Sequence, residues 1–177
     1  MSFRTLDAAK KSYTSQINIG GEEAIMTIET RLFGEITIAD EKLIIFPEGI
    51  VGFPFLKQFA LIHDADNEAS PIMWLQSMEE TEFAMPVIEP HHVVDSYNPT
   101  VNDEYLAPVG ELAPDQIYSL VTLTVPPEIE KMSVNLKAPI VINMANNKAV
   151  QIIVEDDYKV KHPIYETLRK RKEGEAC

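Results

Sequence analysis

Positive charge is missing from the middle of this 177-residue sequence. No lysine or arginine lies between Gln58 and Glu130, and the same stretch holds fourteen aspartates and glutamates. The net charge is -13, and basic residues collect near the C-terminus, at positions 159, 161 and 169–172. An acidic body repels nucleic acid and anionic membranes and attracts basic partners. We therefore expect no direct nucleic-acid binding. The acidic stretch predicts either a docking surface for a basic partner or a solvated face that is kept acidic for solubility.

Cysteine and long apolar runs are also scarce. The single cysteine, Cys177, cannot form an internal disulfide, which fits a reducing compartment. No run approaches the roughly 20 apolar residues of a membrane-spanning helix, and the N-terminus lacks the basic and apolar segments of a signal peptide. The sequence predicts a soluble cytoplasmic protein without membrane contact.

Signatures of catalysis and metal binding are missing as well. There is no Gly-x-Ser-x-Gly motif and no phosphate-binding glycine loop. The segment 64–68 begins like a calcium loop, but Ala69 and Leu75 stand where glycine and glutamate are required. His91 and His92 would point to opposite faces of a strand, and no further His or Cys cluster supports them, so we expect no metal. The residues therefore give no support for an enzyme, we expect no cofactor, and a small-molecule-binding or hydrolytic β-barrel stays open as the alternative.

Short runs of β-branched and aromatic residues dominate the chain from residue 27 onward. Seven or eight such runs are separated by turn residues, among them Asn146-Asn147, which we expect to form a tight turn. Pro90 precedes residues 91–116 and three further prolines interrupt them, which leaves room for one short helix, and residues 163–172 suit another. The pattern predicts a mainly β fold, a small antiparallel β-barrel-like or sandwich domain with short helices, one at the C-terminus. We assign 1–25 to an N-terminal extension, 26–172 to one domain and 173–177 to a tail.

The segment Phe46-Pro47-Glu48-Gly49-Ile50-Val51-Gly52-Phe53 follows one of these strands and is called the corner below. Pro47 cannot donate a ladder hydrogen bond, so the strand should end there. Gly49 and Gly52 accept positive φ angles and let the chain turn sharply. We expect a buried corner with Phe46 and Phe53 on either side.

Four sequence blocks occur in an order and spacing that resembles the flagellar assembly factor FliW family. They are the corner, Met73–Ser77 with Trp74 and Gln76, Val134–Asn143 with Asn135 and Pro139, and Ala149–Gln151. The resemblance covers residues 26–172. It implies a non-enzymatic β-barrel-like protein that binds flagellin in the cytoplasm. It further implies that the protein antagonises CsrA, an RNA-binding translational regulator. Flagellin and CsrA would then be alternative partners of this protein, which makes it a partner switch.

Combined with the charge pattern, the resemblance suggests where the partners bind. We expect the CsrA-binding surface to contain Glu79, Glu80, Glu82, Asp95, Asp103 and Glu104. Apolar residues near the corner would support that surface or bind flagellin. We expect a mainly structural role for the residues of the four blocks, namely Phe46, Pro47, Gly49, Gly52, Phe53, Trp74, Gln76, Asn135, Pro139 and Gln151.

Overall fold

The computed structural model describes residues 3–5, 25–63 and 70–174. Most of the predicted N-terminal extension lies outside the described residues, as do the acidic segment 64–68 and the last three residues. The exception near the N-terminus is a short strand at 3–5, which pairs antiparallel with residues 100–102.

Thirteen strands occur in the described parts of the chain. They are β1 (Phe3–Thr5), β2 (Ile25–Thr30), β3 (Gly34–Ala39), β4 (Ile44–Ile45), β5 (Gln58–His63), β6 (Ile72–Ser77), β7 (Ala84–Ile88), β8 (Thr100–Asn102), β9 (Ile117–Thr124), β10 (Ser133–Val134), β11 (Ile140–Asn143), β12 (Lys148–Gln151) and β13 (His162–Pro163). Two α-helices, α1 (Asp103–Leu106) and α2 (Tyr165–Gly174), and short 3-10 turns complete the described chain.

Seven of the strands close into a barrel, in the order β11, β12, β4, β5, β6, β7 and β9. The ring closes because β9 pairs antiparallel with β7 on one side and with β11 on the other. The β12–β4 pairing is parallel, and the other pairings around the ring are antiparallel. The prediction of a mainly β, mostly antiparallel barrel-like fold with a C-terminal helix is confirmed.

The apolar residues sort onto two sides of the barrel wall because successive side chains in a strand alternate between faces. In β9, Tyr118 and Leu120 belong to the inner cluster, while Ile117, Val121 and Leu123 belong to outer clusters. The inner cluster fills the barrel with Ile44, Phe46, Ile50, Leu56, Phe59, Met73, Leu75, Val87, Tyr118, Leu120, Ile140, Ile142 and Ala149. Because β9 is packed on both faces, its apolar residues are not confined to every second position.

The hairpin of β2 and β3 covers the barrel from outside. Met26, Ile28, Ile36 and Ile38 pack toward Ala60 on the barrel wall. The opposite face of the hairpin carries exposed polar residues. The predicted alternation of this segment therefore separates one packed face from one solvated face.

Turns in the second half of the chain are fixed by asparagine side chains. The β11–β12 hairpin turns at Asn146 and Asn147 as predicted, and Asn147 has a φ of 54°. The buried Asn143 side chain donates to the carbonyls of Val109 and Glu111, both at 2.9 Å. These bonds tie the proline-rich segment, which is irregular as predicted, to the barrel.

Among the helices of the described chain, none combines the length and apolar character needed to cross a membrane.

Tyr97 links the irregular segment to the rest of the outer layer. Its hydroxyl donates to the carbonyl of Leu136 at 2.7 Å, and its ring lies 4.8 Å from that of Tyr158. Burial, with smaller contributions from Tyr158 and Asp156, raises the pKa of Tyr97 above its ordinary value near 10. The folded protein therefore keeps this proton at a pH where the unfolded chain releases it.

This proton linkage predicts an alkaline loss of stability. The stabilisation that Tyr97 gains from its raised pKa is intact below pH 10. It is lost as the pH rises above about 10, because the unfolded state then binds fewer protons than the folded state. We expect Tyr97→Phe to lower the free energy of unfolding at pH 8 by about 1 kcal/mol and to flatten its decline above pH 10. Urea denaturation from pH 8 to 11 measures both effects. Tyr105→Phe, at an exposed ring, is the control, and an equally steep decline in Tyr97→Phe would contradict the prediction.

Candidate protein-binding surface

The base of the corner is anchored in the barrel core. Phe46 is fully buried, and its ring meets that of Phe59 edge-on with centroids 5.1 Å apart. The Phe46 N–H donates to the carbonyl of Lys57 at 2.8 Å, and the Lys57 ammonium donates to the carbonyl of Pro47 at 2.6 Å. These bonds fix the direction in which the corner leaves β4.

The tip of the corner is a tight turn that depends on glycine. Ile50 and Phe53 exchange two backbone hydrogen bonds, of 3.2 and 2.7 Å. Gly49 and Gly52 have φ angles of 75° and 89°, as predicted for turn glycines. A Cβ at Gly49 would lie 2.6 Å from the Phe53 carbonyl oxygen, so no other residue fits there without displacing the backbone.

Gln151 connects the corner to the segment that precedes β11. Its amide nitrogen donates to the Ala138 carbonyl at 3.2 Å, while its amide oxygen accepts from the Val51 N–H at 3.1 Å. Two sequence blocks that are 100 residues apart therefore meet at one side chain.

The expectation that Phe53 is buried is wrong. Ile50 takes the core position of the turn, with 3% exposure, whereas Phe53 is 38% exposed and lies over the ring of Phe83 at 4.6 Å. Val51 and Phe55 are 53% and 67% exposed. The corner and the residues directly after it therefore present three apolar side chains to solvent, and we call Val51, Phe53 and Phe55 the corner patch.

Glu79, Glu80 and Glu82 lie beside the corner, in the turn between β6 and β7. This turn is held by the buried Gln76, whose amide nitrogen donates to the carbonyls of residues 77, 81 and 83. Glu79 accepts from the backbone N–H groups of residues 57 and 58 and thereby ties the turn to the corner. Glu80 is exposed, and Glu82 pairs with Arg31 at 3.6 Å.

Asp103 and Glu104 lie on the other side of the corner, in the first turn of α1. The Asn102 side chain caps this helix by accepting from the Glu104 N–H at 3.1 Å. Glu104 and Tyr105 line a surface depression of about 430 Å³ together with Val51 and Ile153. Tyr105 and Ile153 are more than half exposed, at 54% and 59%.

The six predicted acidic residues thus occupy separate places. The corner contacts the group at 79–82 through Lys57 and shares a depression with Glu104 through Val51. Asp95 lies instead on the loop after Val93, which packs in a different outer cluster. Glu79 and Glu104 thus lie on the two flanks of the corner, and Glu80, Glu82 and Asp103 are close to them in the chain.

Sequence reasoning missed the exposed apolar residues of this surface. Phe55, Tyr105 and Ile153 were not singled out. Ile153 could have been found, because it shares the face of an extended chain with the polar residues Gln151 and Glu155. Glu48, at the corner, adds a further acidic side chain to the same depression.

The remaining block residues lie in the barrel wall and its connections. Trp74 is half-buried and faces outward, with its ring 6.0 Å from that of Phe33. Asn135 accepts from the Lys137 N–H at 3.1 Å and so shapes the turn after β10. Pro139 is buried immediately before β11.

His91 and His92 do not lie on a strand. They belong to a 3-10 turn at 90–92, so their rings stack 4.2 Å apart instead of facing opposite ways. His91 Nδ1 lies 3.3 Å from a carboxylate oxygen of Glu89. Burial, then His91 and the cationic Arg171, lower the pKa of His92 to about 4. The expected opposite orientation is therefore wrong.

The fold and the surface together define a class of protein. It is a small closed β-barrel whose interior is filled by side chains, with an exposed apolar patch on a rigid turn and acidic groups on both flanks of that turn. Comparison with known proteins places the chain within this class.

The sequence model of the FliW protein family matches residues 27–164. The flagellar assembly factor FliW of Lachnoclostridium phytofermentans is 44% identical over 156 residues, covering 86% of this chain and 100% of that one. The FliW of Thermotoga maritima is 38% identical, covering 83% and 98%. A crystal structure of the flagellar assembly factor FliW superposes with a TM-score of 0.72 at 30% identity, covering 78% of this chain and 96% of the other. The chain belongs to the FliW family of flagellar assembly factors.

Burial predicts that substitution of two phenylalanines in the corner region changes the free energy of unfolding by very different amounts. Phe46→Ala should lower the free energy of unfolding by about 3–5 kcal/mol, because it leaves a cavity in the inner core. Phe55→Ala, at a mostly exposed ring, should change it by no more than about 0.5 kcal/mol. Urea denaturation of both variants tests this contrast. Equal losses would show that Phe55 carries core packing.

Proposed function

We propose that this protein is a cytoplasmic flagellar assembly factor that binds flagellin and antagonises the RNA-binding regulator CsrA, without catalytic activity. Family membership supports the assembly role. The observation that supports binding of protein partners is the corner patch, three exposed apolar side chains on a turn held by Gly49 and Gln151. We further propose that residues 26–172 form the functional domain and that the N-terminal extension is an appendage to it.

The corner patch suits a protein segment with apolar side chains, and we assign flagellin to it. The rings of Phe53 and Phe55 lie 6.2 Å apart, so they offer one continuous aromatic surface. Exposed aromatic residues at the centre of an interface often supply most of its binding energy. The turn that carries them is rigid, so little conformational entropy is lost when a partner binds.

The acidic flanks suit a basic partner, and we assign CsrA to them. Glu79, Glu80 and Glu82 lie on one flank, and Asp103 and Glu104 lie on the other. The carboxylates lie in a part of the chain that carries no lysine or arginine. Complementary charge accelerates association and makes it sensitive to salt. Asp95, on a separate loop, has the weakest claim to this surface.

The position of the corner between the two flanks explains how the partners exclude each other. Val51 lines the same depression as Glu104, and Glu79 bonds to the backbone at the base of the corner. A partner on the corner patch would therefore cover carboxylates on both sides. We propose that flagellin and CsrA compete because their surfaces overlap here.

Charge reversal tests the acidic flanks. Glu80→Lys combined with Glu104→Lys should weaken CsrA binding by about tenfold or more at 50 mM salt, and by less at 500 mM salt, because screening removes the electrostatic part. Glu79 is left intact, since its carboxylate holds the backbone of residues 57 and 58. Glu130→Lys combined with Asp157→Lys, at two exposed carboxylates outside the predicted surface, is the control with the same change in net charge. Equal affinity of the double variant and the parent at both salt concentrations would reject the assignment.

Truncation of the patch tests the flagellin assignment. Phe55→Ala combined with Val51→Ala should weaken flagellin binding by at least about tenfold while the melting temperature stays near that of the parent. Val160→Ala, at a residue that is 58% exposed elsewhere, is the control. Titration with flagellin in the presence of CsrA shows in the same experiment whether the partners compete. Unchanged flagellin affinity in the folded double variant would place the flagellin site elsewhere.

A further inference from the structure

A cluster of three side chains, Glu89, His91 and His92, lies just after the C-terminal end of β7. The turn that carries Glu79, Glu80 and Glu82 precedes the other end of this strand. Each side chain of the cluster offers one ligand atom, and these atoms lie within 4.8 Å of one another. Glu89 directly follows β7, and the two histidines occupy the 3-10 turn that comes next. Three metal-binding side chains are therefore carried by one short, backbone-bonded segment.

The spacing of the cluster matches what a tetrahedral zinc ion requires. Ligand atoms 2.0–2.2 Å from zinc lie about 3.3–3.5 Å from each other. The distance from His91 Nδ1 to the Glu89 carboxylate oxygen is already 3.3 Å. A ring nitrogen of His92 needs to approach the other two ligand atoms by at most about 1.5 Å, which lies within the range of a side-chain rotation. Two imidazoles and one carboxylate are a ligand set typical of zinc sites with an open coordination position.

Tyr118 holds the carboxylate of this cluster in place. Its buried hydroxyl donates to the second carboxylate oxygen of Glu89 at 3.1 Å. Hydrogen bonds of this kind orient metal-binding side chains, and their loss commonly weakens metal affinity 10- to 100-fold. Because Tyr118 belongs to β9, the barrel itself positions the cluster.

Arg171, from α2, competes with a cation for His92. Its guanidinium donates to the carbonyl of His91 at 2.8 Å and lies 3.4 Å from Nδ1 of His92. If a metal binds Nδ1, the arginine loses its acceptor. If the metal binds Nε2, Nδ1 carries the proton and can no longer accept. Metal binding therefore breaks the Arg171–His92 contact in either case.

We propose that Glu89, His91 and His92 bind one divalent late transition metal ion, zinc, and that binding releases Arg171 of the C-terminal helix from His92. The site is separate from the proposed partner surface and has no part in the assignment of flagellin or CsrA. Its open coordination position makes it an exchangeable site rather than a closed structural one.

Titration of the metal-free, full-length protein with zinc sulfate, followed by calorimetry, tests the proposal. The titration uses Cys177→Ser, because a terminal thiol binds zinc by itself. We expect one zinc ion per chain. His92→Gln should weaken binding at least tenfold, and the double substitution of His91 and His92 by glutamine should abolish it. Arg171→Gln should tighten binding, because it removes the competing cation.

Two controls separate this site from other histidines. His162→Gln, on β13, should leave zinc affinity unchanged. In the parent protein, zinc should shift the imidazole resonances of residues 91 and 92 and leave those of residues 63 and 162 in place, which tests the site even if a variant fails to fold. Absence of saturable binding at micromolar zinc, binding that survives the double substitution, or a weaker affinity in Arg171→Gln would overturn the proposal.

Discussion

The pairing of β9 with both β7 and β11 is the interaction on which the rest of the structure depends. It closes the seven-stranded ring, so that the backbone groups of both neighbouring strands are used within the sheet. It also divides the apolar residues of β9 between the barrel interior and the outer layers. The outer layers exist because β9 offers them an apolar face, and the segments 93–112, 132–136 and 158–168 are attached there.

Closure also determines which distant segments become neighbours. The pairing of β12 with β4 brings Gln151 close enough to bond the turn that follows β4, and the pairing of β5 with β6 brings Glu79 to the base of the same turn. The corner is thus held from both sides by strands that flank it in the ring. Three of the four sequence blocks meet here for this reason, while their separation along the chain is up to 100 residues. The rigidity of the turn is a property of the closed sheet.

The barrel could be predicted from the sequence because strand runs and turn residues act locally. The prediction separated turns, such as Asn146-Asn147, from apolar runs, but it could not specify which runs pair. The exposure of Phe53 escaped prediction because it depends on Ile50 taking the core position across the turn, a choice made by the shape of the barrel end. The stacking of His91 and His92 escaped it because Pro90 starts a 3-10 turn where a strand was assumed.

Charge and apolar contact contribute differently to the proposed partner switch. The carboxylates act over a Debye length and raise the rate of encounter with a basic protein more than they raise its affinity. The corner patch acts only on contact and controls how long a complex lasts, since related complexes differ mostly in their dissociation rates. A partner that uses the aromatic patch can therefore displace one held mainly by charge. In the proposed switch, removal of that partner frees the surface for the other one, and no change in the fold of the barrel is needed.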